Sequence, residues 1–111
     1  MKINHKSDGD VTVIELSGKV MGGPDHEKFK GAITELIDGG AKNFILDLSG
    51  VPWINSTGLG ILISGFTSIK NSGGVMKVCS VKERVLSIFY ISQLENVFEV
   101  FESCDEARKS F

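Results

Sequence analysis

No stretch of this sequence is long and apolar enough to span a bilayer. The most apolar run, Leu59 to Phe66, falls far short of the roughly 20 residues a spanning helix needs. The start, Met1-Lys2-Ile3-Asn4-His5-Lys6, lacks the apolar core of a secretion signal. A basic stripe is also missing. The 12 Lys and Arg are scattered among 14 Asp and Glu, with no basic cluster set beside an aromatic platform. That distribution argues against direct nucleic-acid binding and against a basic amphipathic membrane anchor. Cysteine is scarce: Cys79 and Cys104 form no C-x-x-C pair, and the spacing predicts two reduced thiols. His5 and His26 lie too far from each other and from the cysteines for a recognised metal spacing, so no metal is expected. These absences together predict a cytoplasmic protein without membrane insertion.

Catalytic signatures are missing as well. Gly58-Leu59-Gly60 begins a G-x-G-x-x-G, but its sixth position is Ile63, and no phosphate-binding loop ending in Gly-Lys-Ser/Thr occurs. There is no G-x-S-x-G, and neither histidine is placed to serve Ser56 as a base. The expectation is a protein that is not an enzyme and needs no cofactor.

What is present suits one domain spanning residues 1–111. The chain is 41% hydrophobic and 23% charged, a globular balance, and long enough to bury a core without metal or disulfide. Val11 to Leu16 reads as a strand, with Lys2 to Lys6 paired beside it through an Asp8-Gly9-Asp10 turn. Pro24 fits the first position of a helix whose acidic start, Asp25 and Glu27, complements the dipole. Phe29, Ile33, Leu36 and Ile37 recur at helical spacing until Gly39-Gly40.

Asn43 to Leu48 is a nearly unbroken apolar strand, as expected where both faces are covered. A helix from Ser56 to about Lys70 follows, with Leu59, Leu62, Ile63, Phe66 and Ile69 on its core face. Val75 to Cys79 and Val97 to Phe101 read as strands. Val81 to Ile91 and Asp105 to Phe111 read as helices, and Phe89, Tyr90, Phe98 and Phe101 as core or core rim. Alternation of this kind predicts an α/β fold: a mixed, mostly parallel sheet of four to five strands with about four helices.

In such sheets, working sites lie beyond the carboxyl ends of the strands. The segment from Asp47 to Gly60 occupies such a place, with Asp47 bracing the loop and Trp53 packing beneath it. Ser56 is expected at the helix start, its hydroxyl capping a first-turn N–H. A phosphoryl group would also be favoured there by unpaired N–H groups and the dipole. Gly58 and Gly60 leave the first turn bare for the close approach of another protein. At 100° per residue the outward face carries Thr57, Gly60, Ile61, Ser64, Ser68 and Asn71. This small, uncharged strip beside a modifiable serine has the character of a docking surface.

The run D-L-S-x-V-x-x-I-x-S-T-G-L-G, read over Asp47 to Gly60, resembles the central motif of the STAS domain as found in anti-sigma factor antagonists. Leu16-Ser17-Gly18, the glycine pair before Val75 to Cys79, the helix after that strand, and Val97-Phe98 extend the resemblance. It implies a bacterial partner-switching phosphoprotein acting in signalling and transcription regulation. In that cycle it binds an anti-sigma factor with serine kinase activity, which frees a sigma factor. Phosphorylation of Ser56 breaks the complex, and a serine phosphatase resets it. Asn55, Thr57, Gly58, Gly60, Ile61, Ser64 and Met21 would then be partner-facing. Two positions depart from the pattern: the residue before the acceptor is Asn55 rather than an acid, and Met21 replaces an aspartate. Both changes remove negative charge near Ser56. They leave a constitutive STAS subunit of a transporter or lipid-trafficking complex as the alternative. A third possibility is a small-molecule or nucleotide sensor using the Gly18 to Pro24 loop.

Overall fold

The computed structural model describes residues 1–20, 22–93 and 97–111. Met21 lies outside the described residues. A five-stranded sheet runs in chain order: β1 (Lys2–Asp8), β2 (Val11–Ser17), β3 (Asn43–Gly50), β4 (Val75–Cys79) and β5 (Glu99–Phe101). The β1–β2 hairpin is antiparallel and every other pairing is parallel. Its turn falls at Gly9-Asp10, where Gly9 takes a φ of 64°, a left-handed value that costs glycine little. Crossovers are made by α1 (Pro24–Asp38), α2 (Ser56–Asn71) and α3 (Glu83–Ile91), and α4 (Cys104–Lys109) follows β5.

Strand alternation divides the core. Ile14, Leu16, Phe44, Leu46, Leu48 and Val78 share a large apolar cluster with Phe29 and Ile33 of α1, Leu62 of α2, and Val85 and Phe89 of α3. The opposite face carries Val11, Val13, Ile45 and Cys79, covered by Ala107 of α4. The apolar β3 is thus buried on both sides.

The second cluster is small, and α4 is held over it by other means. Ser103 caps its start, accepting from the Glu106 N–H at 3.2 Å. Arg108 pairs with Asp8 at 2.8 Å, and Lys77 donates to the Ser110 carbonyl and hydroxyl at 2.9 and 2.7 Å. Cys79 and Cys104 are joined in a disulfide with Cα atoms 5.1 Å apart. This differs from the expectation of two reduced thiols. The intervening α3 and β5 carry the chain back on itself, so residues distant in sequence meet at the end of β4.

Several boundaries move. β3 runs on to Gly50, α3 begins at Glu83, and β5 is confined to Glu99–Phe101. Tyr90 is not core: it is 57% exposed, and with Leu86, Val97 and Phe101 it lines an open groove beside β5.

Candidate functional site

The loops following β2 and β3 lie side by side. Val20 and Ile54 form an isolated parallel bridge, and the Gly18 N–H donates to the Gly50 carbonyl at 2.9 Å. Both loops therefore emerge at the carboxyl end of the sheet, next to the start of α2. Asp47 was expected to brace the second loop, but its Oδ1 accepts the Ser49 N–H at 2.9 Å, a bond inside the last residues of β3 and before that loop begins. Val51 and Ile54 are buried and Trp53 is half-buried, so apolar anchors hold this loop down from below.

The helix cap is Asn55, not Ser56. Asn55 has the extended backbone of a capping residue, φ −101° and ψ 179°, and its side-chain oxygen accepts the Gly58 N–H at 2.7 Å. Ser56 is the first helical residue and is exposed. Serine and asparagine cap about equally well, so composition alone could not choose between them. Among the described residues, no hydrogen-bond partner of the Ser56 hydroxyl is found. The consequence is chemical: the hydroxyl stands at the positive end of α2 without being committed to the backbone.

The outward strip is narrower than the helical wheel predicts. Thr57, Gly60 and Asn71 are exposed, and Ser64 and Ser68 are half-buried. Ile61 is 3% exposed and Gly58 is buried. Both were expected on the surface, and both lie beneath it: α1 packs against a second side of α2 near Ile61, and the loop after β2 covers Gly58. The Phe29 ring presses on Gly65, and the Val20 carbonyl sits against Gly58 with no room for a Cβ. Gly58 thus admits the chain's own loop rather than another protein's backbone. Around this junction, Gly22, Gly23, His26, Thr57, Gly60 and Ile61 line a shallow recess at the first turns of α2.

Among the described residues, no helix is long and apolar enough to cross a membrane. One grouping of metal-ligating side chains escaped the sequence reading: Asp47, Cys79 and Cys104, whose donor atoms lie within 4.8 Å of one another. Asp47 and Cys79 are register partners on adjacent strands, a relationship that sequence spacing does not reveal.

Comparison with known proteins places this geometry in context. A family model described as the STAS domain matches residues 2–107. A candidate anti-sigma factor antagonist from Bordetella bronchiseptica, BtrV, is 25% identical over 92 residues, covering 83% of this chain and 79% of that protein. The crystal structure of a candidate anti-sigma factor antagonist from Thermotoga maritima superimposes with a TM-score of 0.88 at 24% identity, covering 97% of this chain and 92% of its own. A sulfate transporter family protein from Wolinella succinogenes shares the fold at a TM-score of 0.78 and 24% identity, covering 90% of this chain and 83% of its own.

Proposed function

The chain belongs to the STAS domain family, and we propose that within it this protein is an anti-sigma factor antagonist switched by phosphorylation of Ser56. The named role of the Bordetella relative supports the general reading. The observation that carries the switch is the exposed, uncommitted hydroxyl of Ser56 at the start of α2, made available because Asn55 does the capping. In the unmodified state, Ser56, Thr57 and Gly60, flanked by Ser64, offer a small uncharged surface to an anti-sigma factor that is also a serine kinase. That kinase transfers the γ-phosphoryl group of ATP to the Ser56 oxygen, and the serine proton is lost. The new dianion is tolerated by the free protein, because first-turn N–H groups and the dipole face it. Inside a tight interface it would be a desolvated charge, costing several kcal/mol unless paired. The complex then separates, and a serine phosphatase restores the hydroxyl. In this role the protein works in the cytoplasm, where thiols are held reduced, and the Cys79–Cys104 bond would be opened there.

The alternative, a constitutive subunit of a transporter-type complex, draws on the fold shared with the Wolinella protein and on Asn55 standing where the antagonist motif is acidic. Ser56→Ala and Ser56→Asp proteins used as baits in native cell lysate separate the two. The antagonist reading expects an ATP-binding kinase held by the Ala bait and lost from the Asp bait, together with a single phosphoryl mass on the wild-type chain after incubation with that kinase and ATP. Equal capture of a membrane complex by both baits, with no modification at Ser56, would establish the constitutive subunit instead.

A further inference from the structure

We propose that Asp47, Cys79 and Cys104 form a binding site for a thiophilic divalent cation of the zinc class, open when the Cys79–Cys104 disulfide is reduced and closed when it is formed. The three residues come from three elements. Asp47, within β3, and Cys79, the last residue of β4, are register partners on adjacent parallel strands, and Cys79 lies on the sheet face that α4 covers. Cys104 opens α4 above them. All three donor atoms lie within 4.8 Å of one another.

The donor set is chemically coherent. Two thiolates and a carboxylate suit a borderline-soft divalent ion, with metal–sulfur bonds of about 2.3 Å and a metal–oxygen bond of about 2.0–2.2 Å. Three protein ligands leave a fourth tetrahedral position for water or another oxygen donor. The Ser80 hydroxyl lies 4.0 Å from the Cys104 sulfur. Cys79 is fully buried and Cys104 half-buried, so one anchor is shielded while the other can turn about its side-chain bonds. Bound tetrahedrally, the two sulfurs would sit about 3.8 Å apart, a modest opening from the bonded pair.

The two states are linked by balanced steps. A dithiol reductant delivers two electrons and two protons to the disulfide and becomes a disulfide itself. The two thiols then bind the cation and release two protons as thiolates. Because Asp47 also accepts the Ser49 N–H, the cation would be linked through one hydrogen bond to the end of β3, which leads into the loop before Ser56. The inference does not depend on the phosphorylation reading: a metal site and an unmodified Ser56 are compatible.

The test uses the full chain, reduced with a phosphine and kept anaerobic, titrated with Co2+ as a spectroscopic stand-in. Expected are a 1:1 complex with thiolate-to-cobalt charge-transfer absorption and the d–d bands of a tetrahedral site, both bleached by added Zn2+. The oxidised protein should show neither. Cys104→Ser should abolish the charge-transfer band. Asp47→Asn, which retains an oxygen acceptor for the Ser49 N–H, should weaken binding at least about tenfold. Far-UV circular dichroism and an amide NMR spectrum of the reduced wild type establish that the site is probed in the folded chain. A reduced, folded protein that gives no cobalt charge-transfer band would overturn the proposal. So would Asp47→Asn binding as tightly as wild type, because the thiols would then act without the third ligand. Unfolding on reduction would overturn it as well, since the site exists only in the fold.

Discussion

The side-chain oxygen of Asn55 holds the Gly58 N–H at 2.7 Å, and this one bond separates the structural duty of the α2 terminus from its chemistry. A residue that caps cannot offer the same oxygen to a kinase. Here the cap and the proposed acceptor are neighbours, so each can be changed without the other.

Replacing Asn55 with alanine removes the cap and should lower stability by about 1 kcal/mol, whereas aspartate, an equally good cap, should hold it within a few tenths. Urea unfolding followed by circular dichroism distinguishes the two. Equal loss in both variants would mean that the amide group, rather than capping as such, is what the site requires.

Ser56 makes no contribution of that kind. Ser56→Ala should leave unfolding free energy within about 0.5 kcal/mol of wild type. Ser56→Asp should match it or gain about 0.3–1 kcal/mol from the helix dipole at low salt. Any loss of partner binding in the Asp variant is then an effect at the interface and not a defect of folding, and the same unfolding curves verify it.

Three glycines of α2 should respond in opposite directions. A Cβ at Gly58 would meet the Val20 backbone carbonyl, and one at Gly65 would meet the Phe29 ring. Overpacking of this sort costs about 1–3 kcal/mol, and Gly58→Ala should be the worse of the two because backbone yields less than a ring. Nothing lies within 4 Å of a Cβ at Gly60, so Gly60→Ala should stabilise by up to about 1 kcal/mol through helix propensity alone. Thermal melts of the three variants give the order directly.

The disulfide closes a separation of 25 residues and ties α4 over the smaller apolar cluster. On the loop-entropy account its reduction should cost about 3.5 kcal/mol. The urea midpoint should fall on adding reductant, and Cys79→Ser with Cys104→Ser should reproduce the lower value and no longer respond to reductant.

Much of this protein was legible in its sequence because the signals are local. The β-branched apolar run of Val11 to Leu16, the nearly unbroken apolar run of Asn43 to Leu48, the Pro24 start and the Gly39-Gly40 stop each act within a few residues, and they place strands and helices in the observed order. The motif from Asp47 to Gly60 is equally local, and it falls at the strand-to-helix junction it predicts. What escaped depends on contacts between elements. A helical wheel identifies one apolar face. It could not show that α1 would cover a second side of α2 near Ile61, or that the loop after β2 would close over Gly58. Asn55 and Ser56 are rival caps of similar quality, and only the folded backbone, extended at Asn55 and helical from Ser56, distinguishes them. Asp47, Cys79 and Cys104 are scattered along the chain, and parallel register together with the return of the chain through α3 and β5 brings them together. Periodicity reports which side of an element is apolar, whereas its neighbours are decided by tertiary packing, where distant residues meet.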